Sequence, residues 1–117
     1  MVLGKRAHKR YIVSGVAQLE TGGSRFPGRL VTVGGGGMLV RSKVIPPKDT
    51  LIGVGFSVAG FEAQSPLVAT STVVWTQPGE IGLKFVQEPP ELTTLLAWLE
   101  REHSPWSGAS QESAETS

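Results

Sequence analysis

The chain contains no cysteine, only two histidines and a single aspartate among its 117 residues. The absence of cysteine excludes disulfide bonds, thiolate nucleophiles and thiolate metal sites. The two histidines, His8 and His103, lie near opposite ends of the chain, and no pair of carboxylates recurs at a spacing typical of acid–base catalysis. The sequence therefore predicts neither an enzyme nor a metal-binding protein.

Long apolar runs and an excess of charge are also missing. No apolar segment reaches the length of a membrane span or forms the core of a signal peptide. The net charge is +1, which argues against a wholly basic nucleic-acid binder. We therefore expect a cytoplasmic protein without membrane insertion and without a nucleic-acid partner, of a length that suits one domain.

Most of the chain consists of short segments with β-strand character, separated by turns rich in glycine and proline. In the second segment, Pro27 and Gly28 indicate an edge or a bulge. Six short strands with regular turns predict an all-β barrel or sandwich. The predicted strands are residues 11–20, 25–33, 38–42, 51–59, 67–75 and 81–86.

The apolar period changes near the C-terminal end, where four leucines recur at the spacing of one helix face. This pattern predicts one amphipathic helix, with Glu91 as an acid in its first turn. Trp98 lies about 100° from the leucine stripe, so it either packs on the rim of the barrel or faces a partner. Residues 104–117 are rich in small and polar side chains, and we expect a flexible tail there. The leucines of the stripe are Leu92, Leu95, Leu96 and Leu99.

Positive charge is concentrated in residues 1–10, which contain Lys5, Arg6, Lys9 and Arg10 and no acid. The two arginines are four residues apart, immediately before the first predicted strand. A guanidinium group can bind a phosphate through two hydrogen bonds or stack on a base. The residues alone leave two interpretations, a solvated extension and a clamp for an anionic ligand.

A run of four glycines, Gly34 to Gly37, follows the second predicted strand. No Lys-Ser or Lys-Thr pair follows it, and Met38 and Leu39 stand where a dinucleotide-binding fingerprint requires glycine, so both phosphate-binding motifs are excluded. Two interpretations remain. The run is either a tight β-turn or bulge, or a turn whose uncovered backbone N–H groups admit a planar or anionic ligand.

Taken in order, these features resemble the PilZ domain family, whose signature is Arg-x-x-x-Arg followed by Asp/Asn-x-Ser-x-x-Gly. The stretch from Arg6 to Arg10 matches the first motif. In the second motif Gly37 fits, whereas Thr32 replaces the Asp or Asn and Gly34 replaces the Ser. The resemblance covers roughly residues 5–102, because residues 73–75 and 81–85 also look like the last two strands of the family.

PilZ domains are six-stranded antiparallel β-barrels with a C-terminal helix, and many of them bind the bacterial second messenger cyclic di-GMP. The resemblance therefore implies an all-β, PilZ-type barrel with its helix over residues 11–103, preceded by the basic arm of residues 1–10. It implies a cyclic di-GMP site with no metal. The implied ligand-binding residues are Arg6 and Arg10, supported by Lys5 and Lys9, with Thr32, Gly34 and Gly37 on the barrel.

The function implied by the resemblance is that of a bacterial receptor or adaptor, which converts second-messenger binding into an altered interaction with an unidentified protein partner. The second motif has lost two polar side chains, at Thr32 and Gly34. The alternative is therefore a degenerate PilZ domain that binds no nucleotide and acts as an adaptor between proteins.

Overall fold

The fold is a closed six-stranded antiparallel β-barrel with one C-terminal helix. The computed structural model describes residues 9–61 and 66–102. The elements are β1 (Arg10–Thr21), β2 (Ser24–Gly34), β3 (Gly37–Arg41), β4 (Leu51–Val58), β5 (Leu67–Gln77), β6 (Glu80–Gln87) and α1 (Leu92–Glu102). Strands follow the order β1-β2-β3-β6-β5-β4, and β4 pairs with β1 to close the barrel. The predicted barrel is confirmed, and the sandwich is excluded.

The core of the barrel comes from alternate residues of each strand, because successive side chains of a strand point to opposite faces. Leu19, Leu30, Phe56 and Ile81 are examples that lose almost all contact with solvent. Each such side chain contributes about 1.5–3 kcal/mol when it is fully buried. The same core includes the leucine stripe of α1, of which Leu92, Leu95 and Leu99 are buried.

Pro27 and Gly28 mark a local edge of the sheet, which is one of the two alternatives that the sequence predicts. Pro27 pairs in regular register with Gln18 of β1, but the ladder between β2 and β3 ends at the pair Arg29–Arg41. A proline has no N–H to donate, so it is tolerated where no neighbouring strand requires one. The bulge of β2 lies farther along the strand, between Leu30 and Thr32.

Helix α1 begins at Leu92. The N–H of Leu92 donates to the carbonyl of Pro89 at 3.0 Å, and Leu95 donates to Glu91 at 2.9 Å. Glu91 therefore precedes the first helical residue, and the prediction of an acid in the first turn is wrong. Trp98 packs against Phe61, with ring centroids 5.5 Å apart, so the interpretation as a rim residue holds.

A hydrogen bond ties α1 to the beginning of β1. The buried Tyr11 donates its hydroxyl proton to a carboxylate oxygen of Glu100, and the Lys9 ammonium lies 3.5 Å from the same oxygen. Burial and the bond to Glu100 raise the pKa of Tyr11 to about 12. The hydrogen bond from Tyr11, with a smaller effect of Lys9, lowers the pKa of Glu100.

Close approach between β1 and β4 gives the first testable prediction, which concerns Gly15. A Cβ at this position would collide with the carbonyl oxygen of Ser57 and lie 3.2 Å from the Leu30 side chain. We expect Gly15→Ala to reduce the free energy of unfolding by about 1–3 kcal/mol, because backbone must move to accept the methyl group. Urea denaturation measures this loss.

Gly53 provides the matched control, because it also lies in a strand but a Cβ there meets only the carbonyl of Glu20, at 3.8 Å. Gly53→Ala should leave the stability unchanged or raise it slightly, since alanine restricts the unfolded chain. An equal loss in both variants would show that close approach is not the reason for glycine at position 15.

The second prediction concerns the bond between Tyr11 and Glu100. Tyr11→Phe should lower the melting temperature at pH 7, because the ring still packs while the bond to the carboxylate is lost. The lowered pKa of Glu100 means that the stability contributed by its ionised carboxylate is fully present above the ordinary pKa of a glutamate carboxyl. This stability is lost as the pH falls through the lowered pKa of the folded protein. The raised pKa of Tyr11 means that the stability contributed by its protonated hydroxyl is complete below about pH 10. This stability is lost as the pH rises toward about 12.

Melting curves of both proteins at pH 7 and pH 3 check this expectation, which is that the difference between them shrinks at pH 3. Glu102→Gln, in the same helix and also exposed, is the control and should change little. A difference of the same size at both pH values would contradict a bond to the ionised carboxylate.

Candidate functional site

Three of the predicted ligand-binding residues lie close together at one end of the barrel. Arg10 is the first residue of β1 and pairs with Gly34, the last residue of β2. Thr32, two residues earlier in β2, pairs with Ile12 of β1 and with Leu39 of β3. The structure thus brings Arg10, Thr32 and Gly34 onto adjoining strand ends. Lys5 and Arg6 lie outside the described residues.

The glycine run is needed for close approach and not for a left-handed backbone, since none of its residues has a positive φ. A Cβ on Gly34 would collide with the carbonyl oxygen of Lys9, and a Cβ on Gly37 would collide with the carbonyl oxygen of Leu83. Only glycine leaves room for these two backbone contacts. A serine at position 34, as in the family motif, would require Lys9 to move away from β2.

The bend between β2 and β3 contains fewer residues than the glycine run. Gly34 and Gly37 belong to the two strands, and Gly37 also pairs with Lys84 of β6. The carbonyl of Gly36 accepts a hydrogen bond from the N–H of Phe85 at 2.9 Å. Only Gly35 and Gly36 lie outside the ladders, so the uncovered backbone that the sequence suggests for ligand contact is limited to these two residues.

Thr32 contributes a polar atom without a partner. Its Oγ1 is buried and makes no hydrogen bond to the part of the chain that the structure describes. A buried hydroxyl left in this state costs about 1–3 kcal/mol. Thr32 stands where the family motif has its Asp or Asn, and the hydroxyl of Ser71 in β5 is also buried without a hydrogen bond to the described residues.

Lys9 is directed toward α1. Its ammonium group pairs with Glu100 at 3.5 Å, and both side chains are at least half exposed, so this ion pair contributes little to stability. The hydrogen bond from the neighbouring Tyr11 to the same carboxylate is better shielded. Together the two contacts fasten the last residues of the arm to the helix, which makes α1 part of the site's surroundings.

Sequence reasoning missed Glu100 as a member of this region. Tyr11 and Glu100 are 89 residues apart, and neither belongs to the signature motifs. The available signal is weak: Glu100 follows Leu99, the last leucine of the stripe, and so flanks the buried face of the helix. The contact becomes visible only when the helix is packed on the barrel.

The described residues provide no candidate metal centre, because residues 9–61 and 66–102 contain no cluster of three or more His, Asp or Glu side chains suited to hold an ion. Within the same ranges, no helix is long and apolar enough to cross a membrane.

Comparison with known proteins agrees with this architecture. The sequence model of the PilZ domain matches residues 4–101. The fold is similar to the solved structure of the Bacillus subtilis inhibitor of motility, MotI/DgrA, with a TM-score of 0.71 and 12% sequence identity. That alignment covers 85% of this chain and 51% of the other, so the chain spans about half the length of its structural neighbour. No curated protein matches the sequence.

The family match extends over most of the chain and includes every strand and nearly all of α1. The closed barrel with its C-terminal helix, which the resemblance in sequence implies, is the fold observed. The chain therefore belongs to the PilZ domain family.

Proposed function

We propose that this chain is a bacterial, cytoplasmic receptor for cyclic di-GMP that passes ligand binding on to a protein partner. The observation that carries the proposal is the buried Thr32 hydroxyl, which makes no hydrogen bond to residues 9–61 or 66–102 and lies on a strand end next to the pair Arg10–Gly34. Membership of the PilZ family supports the choice of ligand. In the proposed complex, Arg6 and Arg10 bind the phosphates and guanines, while Lys5 and Lys9 strengthen the positive potential.

The barrel side of the proposed site is formed by Thr32, Gly34 and Gly37. The Thr32 hydroxyl can donate or accept a hydrogen bond, whereas Gly34 offers no side chain. Each hydrogen bond missing from a desolvated ligand costs about 1–3 kcal/mol, so two lost bonds weaken binding by about 30-fold to more than 10,000-fold. The arginines must therefore supply more of the affinity than in a family member with both motifs intact.

Proximity of the arm to α1 suggests how binding reaches a partner. Arg10 stands between Lys9 and Tyr11, both of which contact Glu100 of the helix. A ligand that draws Arg10 onto its phosphates changes the position of its neighbours and thereby the contact with α1. The helix surface is the part of the receptor that we expect to respond.

Isothermal titration with cyclic di-GMP at moderate salt tests the proposal. The wild-type protein should release or absorb measurable heat with one saturable transition, and Arg6→Ala and Arg10→Ala should each weaken binding by at least about tenfold, since each removes a charged contact to phosphate.

Arg25→Ala is the matched control, because Arg25 is an exposed arginine of β2 near the opposite end of the strand from Gly34. It should leave the affinity unchanged. Absence of heat for the wild type, or equal affinities of the wild type and both arm variants, would refute the receptor.

A second candidate is an adaptor that works without nucleotide, and a specific observation favours it. The beginning of β1 is fastened by contacts within the chain itself, through the Gly34–Lys9 approach and the bonds of Lys9 and Tyr11 to Glu100. A domain with this arrangement has less need of ligand to organise the arm. The loss of the two polar side chains of the second motif points the same way.

Partner capture from cells that make no cyclic di-GMP tests this second candidate. Affinity-tagged protein should recover the same partner, at the same yield, from cells with and without the nucleotide. Tyr11→Phe provides an internal comparison, because loss of the bond to Glu100 should reduce capture if α1 is the contact surface. Capture of the partner only after addition of cyclic di-GMP would contradict the nucleotide-independent adaptor and favour the receptor.

A further inference from the structure

At the other end of the β2–β3 hairpin lies an open groove that the proposed nucleotide site does not use. Its volume is about 600 Å³, and no acidic side chain lines it. Its walls are residues 26–29 of β2, the end of β3 with the loop that follows, and the turn between β5 and β6. Residues that line the groove include Phe26, Pro27, Arg29, Arg41, Lys43 and Val44.

The groove exists because β2 extends beyond the end of β3. Residues 24–28 pair with β1, whereas the ladder with β3 ends at the pair Arg29–Arg41. Within the part of the chain that the structure describes, no backbone hydrogen bond joins residues 42–50 to this section of β2. An unpaired strand edge is the usual template for adding an extended peptide. Pro27 has only a carbonyl to offer, so such a peptide gains fewer backbone bonds than in a full ladder.

Positive charge lines the same groove. Arg29 and Arg41 are direct partners across the two strands, and both are exposed. Like charges directly opposite each other in a sheet are unfavourable. Arg41 is partly compensated by Glu80, whose carboxylate lies 3.3 Å from its Nε, but Arg29 and Lys43 have no ion pair among the described residues. An anionic partner would relieve this repulsion.

The loop beside the cations is held in place and has an apolar surface. The Ser42 hydroxyl donates to the carbonyl of Val44 at 2.7 Å and accepts from its N–H at 3.1 Å, while the N–H of Ser42 donates to Gly79 at 3.0 Å. These bonds fix the turn that carries Lys43 and leave the Val44 side chain half exposed. The groove thus combines cations with the apolar surfaces of Val44 and Pro27, in a form that needs little reorganisation.

We propose that this groove binds an extended acidic segment of a partner protein, alongside residues 24–28 of β2. Side chains at alternate positions of an extended peptide point to the same face and lie roughly 6.5–7 Å apart. Acidic side chains at alternate positions can therefore reach the cations, while an apolar side chain between them packs against Val44. The proposal rests on the adaptor part of the proposed function and not on nucleotide binding.

A fluorescein-labelled peptide of alternating glutamate and valine is the probe, with a glutamine-valine peptide as its control. Fluorescence anisotropy with the full chain, without nucleotide, should show saturable binding of the glutamate peptide and at least about tenfold weaker binding of the glutamine peptide. Binding should weaken further as salt is raised, because exposed charges are screened. No binding, or equal binding of both peptides, would overturn the proposal.

Charge reversal locates the binding surface. Arg29→Glu and Lys43→Glu should each weaken binding of the glutamate peptide by at least about tenfold, whereas Lys84→Glu, an equal change of charge at an exposed position of β6, should have little effect. Lys43 lies in a loop, so its variant is expected to fold even if the β2 variant does not. Equal losses of affinity in all three variants would show that the peptide responds only to the net charge of the protein, and would overturn the proposed site.

A truncated chain that ends at residue 103 distinguishes the source of the acidic segment. Residues 104–117 contain Glu112 and Glu115 and no lysine or arginine. Unchanged affinity for the peptide after truncation would support a separate partner. A gain of affinity would assign the groove to this chain's own segment and overturn the proposal of a separate partner. Because none of these measurements uses cyclic di-GMP, their failure and failure of the receptor can be told apart.

Discussion

Closure of the sheet between β1 and β4 is the constraint on which the rest of the molecule depends. Residues 15–20 of β1 carry this contact, and the same residues also pair with β2. Every strand then has two neighbours, so the apolar residues of the six strands face a common interior. Gly15 is essential to this arrangement because the backbone of Ser57 occupies the space in which a side chain would lie.

Functional surfaces can occur where a strand of the closed barrel extends beyond one of its neighbours, and the beginnings of β1 and β2 are two such places. At the beginning of β1, residues 10–12 pair with β2 but not with β4, because the ladder between β1 and β4 starts at Gly15. At the beginning of β2, residues 24–28 pair with β1 alone. At these two places the strand pairs with one neighbouring strand and not with two. The proposed nucleotide site and the proposed peptide groove occupy these two overhangs.

The two overhangs lie toward opposite ends of the β2–β3 hairpin. One includes Thr32 and Gly34, near the connection to β3, and the other includes Phe26 and Arg41, at the far end of the pair. Binding at one surface therefore leaves the contacts of the other free. A small domain that serves as an adaptor requires this separation, since it must hold a signal and a partner at the same time.

Sequence patterns and the family resemblance together were sufficient for the fold, because the patterns report on burial within single elements. Alternation along the strands and the leucine stripe of α1 predicted a barrel or sandwich with one helix, the resemblance to PilZ domains implied the barrel, and the strand bounds differ from the observed ones by at most two residues. Contacts between distant elements were not predictable. The bond of Tyr11 to Glu100 and the approach of Lys9 to Gly34 join residues whose local sequence carries no signal of the pairing.

Proximity within the candidate site agrees with the motif resemblance, whereas ligand binding stays a prediction. The resemblance names Arg10, Thr32 and Gly34, and these residues adjoin one another at the ends of β1 and β2. Pattern alone did not reveal that Gly34 serves close approach and not the geometry of a turn, because glycine satisfies both requirements equally well. The groove was missed for a similar reason: Arg29 and Arg41 are separated in sequence, and only the register of β2 and β3 makes them neighbours.

Glycine at position 34 has two opposite consequences for the proposed receptor. It removes a hydroxyl from the proposed ligand surface, and it permits the backbone of Lys9 to lie against β2. Fixing the backbone of one residue costs about 1–2 kcal/mol, so ordering Lys9 and Arg10 in advance offsets about 2–4 kcal/mol of the cost of binding. Loss of one or two ligand hydrogen bonds costs about 1–6 kcal/mol. The two effects are of similar size, so the ordered beginning of β1 can compensate for the ligand hydrogen bond that is lost with the motif serine.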